Sequence, residues 1–187
     1  MSFAVHGKDR DITQEFTESP AVEEVLDPGE ALGGGVVQFG AALGVYILGR
    51  SAHNQRLSLV GADLVRSQIL NAGMTQGIKL AVGRTRPDGS RYSFPSRHTS
   101  SSFATATVLQ RHFGWRAGIP AYGLAAFVGG SRLQQNRHYL SDVIFGAAIG
   151  IVAGRATTVG HGKASFAVTP YAVGGGGGVT FAFVPRR

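Results

Sequence analysis

The sequence predicts an all-α protein: a bundle of about five core helices followed by a short β-hairpin-like tail. Three observations carry that expectation. Residues 31–49 form an uncharged run of nineteen residues. Residues 57–82 repeat apolar side chains at helical spacing. Beyond Gly160 the texture changes to alternation, with Phe166 and Val168 on one side of Gly174–Gly178 and Val179, Phe181 and Phe183 on the other.

Length and composition bound the rest. A chain of 187 residues with 43% hydrophobic and 16% charged residues suits one compact domain with a sizeable core. The absence of cysteine excludes a disulfide framework, a thiolate metal site and a thiol nucleophile. The net charge of +7 is unevenly spread. Residues 1–30 hold eight of the eleven acids, so residues 31–187, with sixteen bases against three acids, carry +13. Such a body attracts anions. Neither a stacking motif nor a zinc motif supports nucleic acid as the partner, which leaves phosphorylated substrates. The opening MSFAVHGKDRD lacks the apolar run and cleavage site of a signal peptide.

Three segments are expected: an acidic lead-in (1–30), a helical domain (31–158) and a Gly-rich β-like tail (159–187). In the lead-in, Pro20 and Pro28 leave room for one short helix at most. The run 31–49 is long enough to cross a membrane and, being rich in Gly and Ala, equally suits a tightly packed core helix. In the helix 57–82, Leu59, Val60, Leu64, Ile69, Met74 and Ile78 are the expected core, with Asp63, Arg66 and Gln68 on a polar side. Residues 84–97 read as a loop, marked by Pro87, Asp88-Gly89 and Pro95. Ser96 is placed to cap a helix over 98–112, Gly114 to Pro120 reads as a turn, and a further helix is expected over 120–133. The last helix runs from about Ser141 to Arg155. Its Gly146, Gly150 and Gly154 form a small-residue stripe that admits a close helix neighbour. The stripe and the hairpin each leave room for self-association.

Three clusters carry chemistry. Lys79 and Arg86 are seven residues apart, two helical turns, so both fit one face before Pro87 stops the helix. Ser96, Arg97 and His98 stand at a helix start, where backbone N–H groups favour an anion. Ser131 and Arg132 precede His138 and Asp142, which are four apart. Arginine supplies a planar fork for phosphate oxygens and lysine a compact charge. A carboxylate on one imidazole nitrogen fixes the tautomer and frees the other nitrogen to attack. A second histidine suits acid–base work, and the cations neutralise developing charge without a metal or other cofactor. Arg84, Arg91, Arg137 and Arg155 match no pattern and read as solvated surface charges. His53, His112 and His161 read as ordinary. Asp142 taken alone would be only a helix cap.

The clusters stand as KLAVGRTRP (79–87), PSRH (95–98) and SRLQQNRHYLSD (131–142). They resemble K-x6-RP, PSGH and SR-x5-H-x3-D, the motifs of the type-2 phosphatidic acid phosphatase superfamily, at ten of eleven fixed positions. That superfamily includes lipid phosphate phosphatases, class A acid phosphatases and vanadium haloperoxidases. The resemblance implies a helical bundle with the phosphate site between helices. It implies a metal-independent phosphomonoester hydrolase of the bacterial cell envelope, membrane-associated or soluble, with a phosphorylated small molecule or lipid phosphate as substrate. His138 would attack phosphorus, Asp142 would orient it, and His98 would serve the leaving group and then water. Lys79, Arg86, Ser96, Ser131 and Arg132 would surround the phosphate. Arg97 stands where the family has glycine. It either crowds the pocket and resists the backbone angle, reducing turnover relative to an Arg97→Gly variant, or adds a cation. A weakly active phosphate-binding relative is therefore the alternative reading, with a haloperoxidase behind it.

Overall fold

A computed structural model describes residues 9, 26, 28–158, 164–173 and 176–185; the side chains of the last two segments are outside the description. Among the described residues, six helices follow one another: α1 (Gly29–Gly33), α2 (Gly35–Ser51), α3 (Gln55–Val82), α4 (Arg97–Phe113), α5 (Trp115–Gln134) and α6 (Leu140–Thr157). Two strands close the chain, β1 (Ala164–Val173) and β2 (Gly176–Pro185), paired antiparallel. Gly176, Gly177 and Gly178 belong to β2, opposite Val173, Ala172 and Tyr171. Three of the five residues of the expected glycine turn thus lie in the strand, because glycine carries the same ladder donor and acceptor as any other residue; the other two lie outside the described residues. Most of the acidic lead-in lies outside the described residues, as does His161.

Helix α4 is the centre, packed against α3, α5 and α6. Its sequence explains why: Thr99, Ser100, Ser101, Ser102, Ala104 and Ala106 are small and buried, so three neighbours can approach. Helix α6 comes closest. A Cβ on Gly146 would lie 2.6 Å from the Ser96 carbonyl oxygen, and one on Gly150 would lie 2.2 Å from that of Ser100. The glycine stripe is thus consumed inside the chain, against α4 and the loop before it. It is not a free surface for self-association, contrary to expectation.

Helix α3 keeps Val60 and Leu64 inside and Arg66 outside as expected, but differs at other positions. Asp63 and Gln68, read as a polar outer side, are buried, while Leu59 and Ile69, read as core, are 43% and 59% exposed. Asp63 meets His112 Nε2 at 3.0 Å and Arg66 Nη1 at 3.1 Å, so His112 is paired, with its side chain only 5% exposed. Gln68 donates to the Ser101 carbonyl and to Thr105 Oγ1, and Thr75 shares a hydrogen bond with Ser100. Hydrogen-bond partners on α4 permit this polar seam to be buried. An apolar cluster of Ala42, Val60, Leu64 and Val108 fills the end of the bundle away from the seam's lysine, Lys79. The apolar surface left over faces outward at Val36, Leu48, Leu80, Ile119 and Ile144. Leu140–Thr157 is long and apolar enough to cross a membrane.

Two boundaries differ from expectation. Helix α5 starts directly after Gly114 and contains Pro120, where a turn over 114–120 was expected. Proline there forfeits only one ladder bond, to the Arg116 carbonyl, close to a helix start where several N–H groups lack partners in any case. Helix α3 stops at Gly83, which takes a left-handed φ of 61° with its N–H on the Lys79 carbonyl. Glycine adopts that conformation without Cβ strain. Pro87 therefore does not end the helix, and Arg86 lies in the following loop rather than on the face of Lys79.

Candidate active site

The loop 84–96, the start of α4, the end of α5 and the start of α6 converge. The Ser96 N–H donates to the Asp142 carbonyl at 3.0 Å, tying the second cluster to the third. His138 lies just before α6 and is buried. Its Nδ1 stands 3.6 Å from Asp142 Oδ2. That is an ion-pair separation, and no hydrogen bond to Nδ1 forms among the described residues. Nδ1 faces the carboxylate, so Nε2 is the nitrogen left for chemistry.

Asp142 is fully buried and serves two roles at once. As the third residue of α6 it accepts the Tyr139 N–H at 2.9 Å, the capping role. The same oxygen accepts from Ser93 Oγ, and the other oxygen accepts from Arg84 Nη1 at 2.7 Å. Burial alone would raise its pKa. The contacts from His138, Ser93 and the Tyr139 N–H, with the charge of Arg84, outweigh burial and hold it below the usual carboxylate value. His138 is shifted down, chiefly by burial; Asp142 opposes this, and Lys79 and Arg86 add to it.

The cations gather around His98. Burial and then the charges of Arg132, Arg97, His138 and Arg86 push its pKa down to about 4. Lys79 is buried and lowered to about 8, first by desolvation and then by Arg86. Its ammonium donates to the Tyr92 carbonyl at 2.6 Å and lies 3.4 Å from that of Ser93, so it holds the loop as well as lending charge. The buried Nε of Arg86 has no partner among the described residues. A buried charged donor without an acceptor is costly, and an incoming anion would satisfy it.

The serines divide. Ser96 is the N-cap residue of α4, but its side chain makes no capping bond. Its Oγ instead accepts from Thr99 Oγ1 at 3.0 Å, which leaves its own proton to donate. Ser131 spends its proton on the Val128 carbonyl and accepts Arg132 Nε at 3.2 Å. It therefore aims Arg132 rather than facing the cradle, because a helical serine reaches back to its own preceding turn. Arg132 is buried, bonded to Gln135 Oε1 at 2.7 Å, with Glu30 of α1 3.8 Å away. Arg97 is exposed, and its guanidinium lies beside Gly35, 3.8 Å from where a Cβ there would be. It is the first residue of α4 and its φ is not positive, so the expected backbone conflict does not arise. It stands at the rim as a cation.

Sequence reasoning missed Arg84, which is no surface charge. Its side chain is 13% exposed and bridges Asp142, Asp9 and Ser141, with its guanidinium carbon 4.1 Å from the centre of the Tyr139 ring. Its place two residues before Arg86 was the only available signal. Ser93 and Asp9 gave none. Arg91, Arg137 and Arg155 are exposed as expected.

Residues 88–166 match the PAP2 superfamily. Over 89 residues, 46% of its length, the chain is 44% identical to the lipid A 1-phosphatase of Porphyromonas gingivalis. The match spans only 20% of that relative's length. In fold, the chain is similar to Aquifex aeolicus LpxE, with a TM-score of 0.66 and 21% identity over 79% of this chain and 92% of that one. It is also similar to the transmembrane PAP2 type phosphatidylglycerolphosphate phosphatase of Bacillus subtilis, with a TM-score of 0.57 and 22% identity over 83% of this chain and 85% of that one.

Proposed function

We propose that this chain is a metal-independent phosphomonoesterase acting on a lipid phosphate through a phosphohistidine on His138. The observation that carries the reading is the His138–Asp142 pair at 3.6 Å together with the buried, unpartnered Nε of Arg86, with the charges of Arg132, Arg97 and Arg86 acting on His98. That is a cationic cradle with two imidazoles of separate surroundings. Nε2 of His138 forms a bond to phosphorus as the ester P–O bond breaks. His98 gives its proton to the leaving oxygen. Water then attacks phosphorus, returns a proton to His98, and the P–N bond breaks to release phosphate. Arg86, Arg132, Lys79 and Ser96 hold the equatorial oxygens as charge develops. His98, neutral in the free protein at neutral pH, gains its proton as the phosphate dianion offsets the surrounding cations.

The lipid part of the proposal rests on the exposed apolar side chains of α2, α3, α5 and α6, which suit a membrane-associated protein of the bacterial envelope, and on the named relatives. The test is phosphate release from phosphatidic acid in mixed micelles and from a small aryl phosphate, in excess EDTA, for the parent chain and His138→Ala. Release that survives EDTA and disappears in the variant, with an acid-labile phosphoenzyme trapped from the parent, supports the mechanism. Release abolished by EDTA, or retained by His138→Ala, overturns it. Hydrolysis of the aryl ester alone overturns the lipid assignment.

A further inference from the structure

We propose that Arg84 is a positioning residue for the His138–Asp142 pair and that Asp9 sets how strongly it acts. This rests on the phosphohydrolase reading above. The two oxygens of Asp142 have different duties. Oδ2 receives the Tyr139 N–H at 2.9 Å and Ser93 Oγ, and faces His138 Nδ1 at 3.6 Å. Oδ1 receives Arg84 Nη1 at 2.7 Å. A carboxylate gripped at both oxygens cannot rotate, so Oδ2 stays aimed at the imidazole. Arg84 is itself fixed: Ser141 Oγ accepts from Nη1 at 2.7 Å, Asp9 Oδ2 accepts from Nη2 at 3.1 Å, and the Tyr139 ring lies beneath the guanidinium.

A fold staple alone would not need to end on the orienting carboxylate. The order Asp9, Arg84, Asp142, His138 alternates charge and ends on the attacking imidazole. Arg84 draws on the negative charge of Asp142 and so limits how far that charge stabilises an imidazolium. Asp9 competes for Arg84 and relaxes that limit. Loss of Arg84 therefore raises the pKa of His138, and loss of the Asp9 charge lowers it. The attacking imidazole must be neutral, so the acid limb of kcat/KM moves with it.

The experiment measures kcat, KM and the acid limb for Arg84→Ala, Arg84→Lys and Asp9→Asn, with thermal melts to establish folding. Arg84→Ala is expected to lose about 10- to 100-fold in kcat, the range for partners one shell out, with KM nearly unchanged. Its acid limb should move to higher pH, and guanidinium ion well below denaturing concentration should restore part of kcat. Arg84→Lys should show the same limb shift to a smaller degree, because a point charge cannot bridge three acceptors. Asp9→Asn should move the limb to lower pH. Parent values of kcat and limb in folded Arg84→Ala overturn the proposal, as does a kcat loss with an unmoved limb and no rescue. If Arg84→Ala does not fold, an unmoved limb in both Arg84→Lys and Asp9→Asn overturns it. If the parent chain cleaves no ester, the phosphohydrolase reading is what fails. The His138 imidazole titration, followed by NMR in the parent and Arg84→Lys, then decides: an unchanged midpoint overturns the Arg84 coupling.

Discussion

Nδ1 of His138 stands 3.6 Å from Oδ2 of Asp142, although α6 begins only at Leu140. The two are not neighbours on a helix face. They meet because Asp142, in the first turn, reaches back over the helix start to the Tyr139 N–H, and His138 is the residue before Tyr139. The cap and the His138–Asp142 contact are one geometry, so a four-residue spacing brings the pair together without a helix at His138.

From this follows the first expectation. Asp142→Asn keeps an acceptor for Tyr139 and so keeps the cap, but its amide removes the charge that holds the imidazole tautomer. Turnover should fall about 10³- to 10⁴-fold, the scale seen when an orienting aspartate in a hydrolase becomes asparagine. Single-turnover phosphate release checks this; a loss under tenfold would mean that Asp142 acts only as a cap.

Arg97 gives a second. The guanidinium lies at the rim beside Gly35, and the backbone is ordinary helix. Removing it in Arg97→Gly deletes a charge that helps to hold the anion but no contact at the reacting nitrogen. KM should rise about tenfold, one exposed charge-assisted contact of about 1.4 kcal/mol, with kcat within a factor of about two. Steady-state kinetics at fixed ionic strength decide it. Higher kcat in the glycine variant would instead mean that Arg97 crowds the cradle.

How much of this was legible beforehand differs by residue. Helix α3, the loop after it and α4 were readable because periodicity, Gly and Pro mark them locally. The faces of α3 were readable only in part. A rule that puts Leu59 and Ile69 inside and Gln68 outside assumes water around the bundle, whereas here Gln68 finds Ser101 and Thr105 on α4. The motif residues Lys79, Arg86, Ser96, Arg132, His138 and Asp142 were legible through their spacing. Arg84 was not, since its burial depends on Asp9, a residue 75 positions away in sequence. Nothing local distinguishes such an arginine from a solvated one.

The pH dependence is a third expectation. kcat/KM reports the free enzyme and free substrate. The proposed mechanism needs one proton on His98 and a phosphate dianion, which equals neutral His98 with a monoanion. His98 sits at about 4, and a phosphate ester loses its second proton at about 6. The shared proton is therefore present between about 4 and 6 and is lost as pH rises above that window, so kcat/KM should fall with pH there. Lys79, lowered to about 8, then loses its own proton and steepens the fall through that pH. Lys79→Arg should erase the second break and leave the first. A flat profile from pH 6 to 9 would contradict both assignments.

The last expectation separates glycines that pack from glycines that do not. A Cβ on Gly150 would lie 2.2 Å from the Ser100 carbonyl oxygen and 2.9 Å from the Ala104 backbone nitrogen. Both are backbone atoms of the central helix, so relief requires α6 to move off α4. Gly150→Ala should destabilise by at least the about 1–3 kcal/mol typical of overpacking, seen as a lower melting temperature. Activity at temperatures below the melt should fall too, because α4 carries His98 and α6 carries Asp142. Gly73, in the middle of α3, is exposed, and a Cβ there would meet nothing within 4 Å. There alanine only removes backbone freedom from the unfolded chain, and Gly73→Ala should stabilise by about 0.5–1 kcal/mol. An unchanged or raised melt in Gly150→Ala would mean that the close contact of α6 with α4 is not what holds the site together, and a lowered melt in Gly73→Ala would mean that its surroundings are not open.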